Sequence, residues 1–223
     1  MPGLPSGLEG VRIACLTDVH LAGGVSAAAR VALEVLARER PDVVVLIGDI
    51  CNCQSDLPTL AAWARDARGS AATFATLGNW EHTARIDRAT AERAYDRAGV
   101  ELLYNSVGRV SVRGATLSVV GIDDPVNGRP DPAEALKGVR TGDCVVWVLH
   151  APGERAVRGW VVPRHVRAAV RLAGDRNDYR AGAAVLSTGA SHLHSHNQTL
   201  IPTDPSLRAR TARSLRMTLH VAL

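Results

Sequence analysis

The chain has 223 residues, and 46% of them are hydrophobic, a share that favours a folded domain with a sizeable core over intrinsic disorder. No run approaches the roughly 18 apolar residues of a membrane-spanning helix, and the first residues lack the charged start and apolar stretch of a secretion signal. We therefore expect a cytoplasmic protein without a membrane span, with its four cysteines reduced.

The net charge of +4 is unevenly distributed. Residues 1–150 hold 15 basic and 18 acidic side chains, whereas residues 151–223 hold 11 basic and 4 acidic ones. A basic segment can attract phosphate groups or nucleic acid through non-specific electrostatics. It also fits an arginine-rich, solvated surface, since 25 of the 26 basic residues are arginines. Charge alone therefore leaves a nucleic-acid partner open.

The first 100 residues alternate strand and helix patterns. Continuous apolar runs predict buried strands over residues 11–16, 43–47 and 72–77. Helical spacing and capping residues predict helices over residues 27–40, 56–68 and 85–98. This alternation predicts an α/β fold.

The pattern changes after residue 100. Two apolar runs around an Arg-Gly-Ala turn predict a hairpin, and a later run predicts another buried strand, over residues 110–112, 116–122 and 144–149. Beyond residue 153 the signals weaken, and they predict an arginine-rich helix followed by two strands, over residues 163–172, 183–187 and 217–223. Since no linker separates these parts, we predict a single domain over residues 1–223.

Polar side chains suited to metal binding follow four of the predicted strands. They are Asp18 and His20 after the first strand, Asp49 after the second, Asn79 after the third and His150 after a later one. Because the carboxyl ends of parallel strands meet at one edge of a sheet, these side chains should converge there. Carboxylates and imidazoles suit manganese, iron or zinc. One carboxylate can bridge two ions, and Asp49 is the natural candidate.

The same residues resemble the ordered motifs of the calcineurin-like metallophosphoesterases, which are D-x-H, G-D, G-N-H-[DE], a lone H and G-H-x-H. The first four are matched here by Asp18-Val19-His20, Gly48-Asp49, Gly78-Asn79-Trp80-Glu81 and His150. The resemblance covers residues 10–153 well and residues 154–223 poorly. It implies a two-layered β sandwich flanked by helices, an αββα arrangement of layers.

The resemblance also implies a dinuclear centre of two divalent ions. Asp18 and His20 would bind the first ion, Asp49 would bridge both, and Asn79 and His150 would bind the second. A hydroxide activated by the two ions would attack phosphorus. The implied function is a metal-dependent hydrolase of small phosphomonoesters or phosphodiesters.

The third motif departs from the family pattern at Trp80, because the family usually has a histidine there that contacts the phosphate and helps the leaving group. An indole N–H can donate a hydrogen bond but cannot shuttle a proton at neutral pH. His82 is the candidate catalytic residue that could reach the same place. It also fits a surface histidine at the start of a helix.

The last motif is open to two alignments. Ser191-His192-Leu193-His194 matches G-H-x-H with serine in place of glycine, and His192 and His194 would then complete the shells of the second and the first ion. In the other alignment the motif is missing and these histidines are incidental. The departures leave two further functions open: a weakened or inactive relative that acts as a binding module, and a nuclease that holds a nucleic-acid backbone on its basic segment.

Overall fold

The computed structural model describes residues 5–151 and the strands β8 (Ala168–Ala173), β9 (Val185–Leu186), β10 (Gln198–Thr199) and β11 (Arg216–Val221). Strands of this described part form two sheets.

The first sheet contains β1 (Arg12–Thr17), β2 (Val43–Ile47), β3 (Ala72–Thr76) and β4 (Glu101–Leu102) together with β10 and β11. Its order is β10-β11-β1-β2-β3-β4. The strands β1 to β4 run parallel, and β11 pairs with β1 in the antiparallel sense. The carboxyl ends of β1, β2 and β3 consequently lie at the same edge of the sheet.

The second sheet contains β5 (Ser106–Val112), β6 (Ala115–Gly121) and β7 (Cys144–Leu149) together with β8 and β9, in the order β5-β6-β7-β8-β9. The predicted hairpin is the antiparallel pair β5 and β6. The strands β6, β7 and β8 run parallel to one another.

The helices are α1 (Ala27–Glu39), α2 (Leu57–Asp66), α3 (Asn79–Thr83), α4 (Arg88–Ala98) and α5 (Pro132–Lys137), with short 3₁₀ turns at Ser6–Leu8 and Gln54–Asp56. Apolar residues of α1, α2 and α4 pack on the outer face of the first sheet. A second cluster lies between the two sheets, and a third lies between the second sheet and α5. These clusters give the αββα layers that the resemblance implies. None of the helices in the described ranges has the length and apolar character needed to cross a bilayer.

The sequence of β2 is apolar throughout because both faces of this strand are buried. Val43, Val45 and Ile47 pack between the sheets, whereas Val44 and Leu46 pack against the helices. Side chains alternate between the two faces of a strand, so a strand covered on both faces needs apolar residues at every position.

The helix predicted over residues 85–98 begins later than expected. Asp87 accepts a hydrogen bond from the backbone N–H of Thr90, which makes it the N-cap, and α4 starts at Arg88. The helix ends at Gly99, whose φ of 70° lies in the left-handed region that favours glycine. The sequence gives this helix a charged surface, but one side of it is buried against α2.

The helix predicted over residues 163–172 is wrong over its described part. Ala168–Ala173 forms β8, which pairs with β7 along its whole length, while residues 163–167 lie outside the described ranges. A short apolar run fits either a helix or a strand, and pairing with a neighbouring strand decides between them. The predicted closing strand is confirmed as β11, and β9 covers two residues of the strand predicted over 183–187.

Candidate metal centre

Three of the predicted ligands lie together where strands of both sheets end. Asp18, Asp49 and His150 each offer one ligand atom, and these atoms all lie within 4.8 Å of one another. Asp18 follows β1, Asp49 follows β2 and His150 follows β7. Since β1 and β2 belong to the first sheet and β7 to the second, the cluster forms between the two sheets and not, as predicted, at the edge of one. It brings together side chains that are up to 132 positions apart in the sequence.

His150 is buried, and its two ring nitrogens have different surroundings. Nδ1 lies 2.8 Å from the carbonyl oxygen of Ile47, and since a carbonyl only accepts, Nδ1 is the nitrogen that donates. Nε2 lies 3.2 Å from Oδ2 of Asp49 but makes no hydrogen bond to any residue the structure describes. A buried ring nitrogen that faces a carboxylate favours a positive charge between them, which either a proton or a metal cation can supply. The donor set therefore fits a divalent cation.

The charges of the cluster favour the same conclusion. Burial opposes a charge on His150, but the hydrogen bond and charge of Asp49, together with Ile47 and Asp18, outweigh burial and raise the pKa of His150 to about 9. Burial likewise opposes ionisation of Asp18, but the neighbouring His20 and Thr17 outweigh it and lower the pKa of Asp18. Two carboxylates beside an imidazole form a site that attracts positive charge.

His20 stands at the border of this cluster. Its Nδ1 lies 2.8 Å from Oδ1 of Asn52, which leaves Nε2 directed to the carboxylates. Nε2 lies 3.8 Å from Oδ1 of Asp18 and 3.9 Å from Oδ2 of Asp49. Asp18 is the main cause of a raised pKa of His20. The structure thus places His20 next to both carboxylates, slightly farther away than His150.

The backbone of these residues is strained in the same way at three positions. Asp18, His20 and Asp49 have φ angles of 56°, 49° and 54°, in the left-handed region. This conformation costs a non-glycine residue roughly 1–2 kcal/mol. Hydrogen bonds between the two loops hold it, with the N–H of Asp18 donating to the oxygen of Gly48 at 3.2 Å and that of His20 to the oxygen of Asp49 at 3.0 Å. Strain held by its surroundings is frequent at functional sites.

Glu81 is a residue whose role sequence reasoning missed. Its buried carboxylate accepts four backbone N–H groups, from Asp49 at 2.9 Å, Ile50 at 2.7 Å, Cys51 at 3.2 Å and Gly78 at 2.9 Å. Burial and then the charge of Asp49 raise the pKa of Glu81, and these N–H donors oppose the rise. Glu81 therefore ties the loop after β2 to the loop after β3. The acidic position that closes the third motif was the available signal.

Gly78 allows the same two loops to touch. A Cβ atom at Gly78 would lie 2.3 Å from Oδ1 of Asp49 and 2.5 Å from its backbone nitrogen, distances that no side chain can adopt. The next residues continue the contact, because the N–H of Trp80 donates to Oδ1 of Asp49 at 2.8 Å. The close approach of Asp49 therefore explains why the third motif has a glycine at this position.

Asn79 is the first residue of α3 and is buried. Its carbonyl oxygen accepts hydrogen bonds from the hydroxyl of Thr83 and from the side-chain amide of Asn127. It lies between Gly78 and Trp80, which both contact Asp49. Its role as a ligand through the side-chain oxygen stays a prediction.

Trp80 and His82 lie on different sides of α3. The Trp80 ring packs edge to face on His20, with ring centroids 5.2 Å apart. Nε2 of His82 lies 2.7 Å from Oδ1 of the fully buried Asp123. Residues two apart on a helix point about 200° away from each other, so His82 and Trp80 do not occupy the same place. A catalytic role of His82 stays a prediction, and its partner Asp123 was not identified from the sequence.

His192 and His194 lie outside the described residues. Their roles as ligands, and the choice between the two alignments of the last motif, stay predictions.

Several known proteins are similar to this chain. A Danio rerio protein named "Transmembrane protein with metallophosphoesterase domain" is 28% identical over 162 residues, which are 67% of this chain and 37% of that protein. Its Bos taurus namesake is 28% identical over 133 residues, which are 54% of this chain and 29% of that protein. A solved phosphopantetheinyl hydrolase from Mycobacterium tuberculosis is 15% identical, with a TM-score of 0.47, and the match covers 75% of this chain and 83% of that one.

The matched regions span only 37% and 29% of the lengths of the two curated relatives. The match to a family model covers more of this chain than either of these alignments does. The family model of the calcineurin-like phosphoesterases matches residues 11–167, a range that includes the strand ends carrying Asp18, Asp49 and His150. The chain therefore belongs to the calcineurin-like phosphoesterase family.

Proposed function

We propose that this protein is a metal-dependent hydrolase of small phosphomonoesters or phosphodiesters that uses two divalent ions. The observation that carries the proposal is the cluster of Asp18, Asp49 and His150, in which the buried Nε2 of His150 faces a carboxylate. Membership of the phosphoesterase family supports phosphoester hydrolysis as the reaction.

The proposed ligands divide into two sets around Asp49, which would contribute to both. Asp18, His20 and His194 would hold one ion, and Asn79, His150 and His192 would hold the other. When bound, two divalent ions polarise a phosphoryl group and lower the pKa of a water molecule enough for attack on phosphorus. Manganese, iron and zinc all suit this donor set.

The chain's own contribution is to fix these groups before substrate arrives. Ile47 holds the tautomer of His150 that leaves Nε2 free for a ligand role. The N–H of Trp80 holds one oxygen of Asp49 and leaves Oδ2 near His150. Glu81 fixes the turn that carries Asp49. A preorganised arrangement avoids reorganisation during the reaction.

A second candidate function is a weakened or inactive relative that binds phosphoesters without turning them over. Trp80 favours it, because an indole beside His20 supplies no proton for a leaving group at neutral pH. The two candidates share the metal cluster and differ in turnover.

Metal analysis combined with an activity assay tests the proposal. The full chain, purified and supplied with Mn²⁺, is expected to hold about two ions per chain and to hydrolyse an aryl phosphodiester. A chelator should abolish the hydrolysis, and added Mn²⁺ should restore it. Bound metal without turnover would support the binding-module alternative, and absence of both would reject the two candidates.

We expect His82 to stabilise the loop of Asp123 rather than to transfer protons. His82→Ala should lower the free energy of unfolding by about 1.5–3 kcal/mol, the cost of losing a hydrogen bond to a charged group. Asp123 raises the pKa of His82. Burial opposes ionisation of Asp123, but His82 outweighs burial and lowers its pKa.

The pH dependence of this stabilisation follows from the directions of the two pKa shifts. The contribution of His82 is complete below its ordinary pKa and is lost as the pH rises through its raised pKa. The contribution of Asp123 is complete above its ordinary pKa and is lost as the pH falls through its lowered pKa. The difference between wild type and His82→Ala should therefore be largest between about pH 4 and pH 6.5, measured by urea denaturation. His82→Gln, which keeps an N–H donor, should recover part of the stability. A fall of kcat by about 10²–10⁴ in a stable His82→Gln protein would instead show general acid or base catalysis.

A further inference from the structure

Trp80 differs from the other tryptophans that the structure describes because it is exposed. Trp63 and Trp147 are 1% and 2% exposed, whereas Trp80 is 44% exposed. Among the large hydrophobic residues of the described ranges, Val126 alone is exposed to a similar extent. An exposed indole forgoes the stabilisation that burial gives the other two. An aromatic side chain left in solvent beside a polar cluster is typical of the wall of a ligand site.

Both the backbone and the ring of Trp80 are fixed beside the candidate ligands. The backbone N–H donates to Oδ1 of Asp49 at 2.8 Å. The ring packs on His20 with an interplanar angle of 77°, and His20 is itself held by Asn52. The indole is consequently preorganised, and little conformational entropy remains to be lost when a ligand packs against it.

We propose that Trp80 is an aromatic wall of the substrate site and that the protein prefers phosphoesters with a flat aromatic group close to the phosphorus. The inference rests on the proposed function, since it takes the cluster of Asp49 and His150 as the place where the phosphoryl group binds. The imidazole against which Trp80 packs has its Nε2 within 3.9 Å of both carboxylates. Aromatic rings associate at centroid distances of about 4.5–7 Å, which a ring attached at or near the phosphorus can reach. A saturated group of the same size lacks the quadrupole that favours this packing.

Binding of phosphonates separates aromatic recognition from leaving-group chemistry, because the carbon–phosphorus bond does not react. Titration calorimetry on the full chain with Mn²⁺ compares phenylphosphonate, cyclohexylphosphonate and methylphosphonate. We expect phenylphosphonate to bind roughly 3- to 10-fold more tightly than cyclohexylphosphonate, and methylphosphonate to bind most weakly.

Substitutions at Trp80 decide whether this residue causes the preference. Trp80→Ala should make the phenyl and cyclohexyl compounds bind equally, and Trp80→Phe should keep most of the difference. Val126→Ala is the matched control, since it truncates the other exposed large hydrophobic residue of the described ranges, and it should keep the preference. Equal binding of the two compounds by the wild type, a preference that survives Trp80→Ala, or failure of every phosphonate to bind would overturn the inference.

The outcome is distinguishable from that of the proposed function. Turnover of an aryl phosphodiester without a phenyl preference would reject the role of Trp80 and leave the hydrolase standing. A phenyl preference that depends on Trp80, in a protein without turnover, would support the role of Trp80 and favour the binding module.

Discussion

Replacement of Asp49 with asparagine is expected to remove bound metal and phosphoester hydrolysis together. The substitution keeps the size of the side chain and an acceptor oxygen for the N–H of Trp80, but it removes the negative charge that faces His150. Loss of a residue that merely orients a metal ligand costs about 10–100-fold in affinity or activity. Loss of the proposed bridging ligand itself should therefore cost at least about 100-fold in rate.

Two measurements separate loss of the site from loss of the fold. Elemental analysis should find only background metal in Asp49→Asn. Mn²⁺ should raise the melting temperature of the wild type but not of the variant, because an ion stabilises only a folded protein that binds it. Asp66→Asn is the matched control, since Asp66 is an exposed residue at the end of α2. Unchanged metal content in Asp49→Asn would reduce Asp49 to a turn residue and reject its bridging role.

The convergence of Asp18 and Asp49 was predictable because it follows from the geometry of one parallel sheet. The apolar runs that end before Asp18, Asp49 and His150 identify strands buried on both faces. Because β1 and β2 pair in parallel in the first sheet, the ends that carry Asp18 and Asp49 must lie at one edge. His150 follows β7 of the second sheet, so it reaches them through the packing of the two sheets, which strand periodicity does not predict.

The residues that hold the cluster in place were not predictable in the same way. Glu81 binds backbone N–H groups about 30 positions away, and backbone groups leave no trace in a sequence. Asp123 pairs with His82 across 41 positions. The five-residue helix α3 is too short to show helical periodicity. The sequence pattern therefore identifies the candidate ligands more readily than the residues that hold those ligands in place.

Substitution of Glu81 with glutamine tests this orienting role and is expected to destabilise the fold strongly. Each carboxylate oxygen accepts two N–H groups: Oε1 those of Ile50 and Cys51, and Oε2 those of Asp49 and Gly78. An amide has one accepting oxygen, so its NH₂ group would face two backbone donors in a buried site. Hydrogen bonds to a charged acceptor contribute about 1.5–3 kcal/mol each, and unpaired buried donors cost about 1–3 kcal/mol. We expect a loss of roughly 3–5 kcal/mol in the free energy of unfolding, which urea denaturation measures in the presence of a chelator.

The same substitution should also weaken metal binding, for a separate reason. Asp49 has a φ of 54°, and its N–H is one of the groups that Glu81 holds, so without the carboxylate the strained turn can relax and carry the side chain of Asp49 away from His150. Metal affinity of the folded Glu81→Gln protein should fall about 10–100-fold. Glu92→Gln is the matched control, because Glu92 forms an exposed pair with Arg88, and such a pair contributes at most about 1 kcal/mol. If Glu81→Gln lowers stability but leaves metal affinity at the wild-type value, Glu81 stabilises the fold and does not orient Asp49. If stability and metal affinity both stay unchanged, the four hydrogen bonds of Glu81 do not stabilise the turn that contains Asp49.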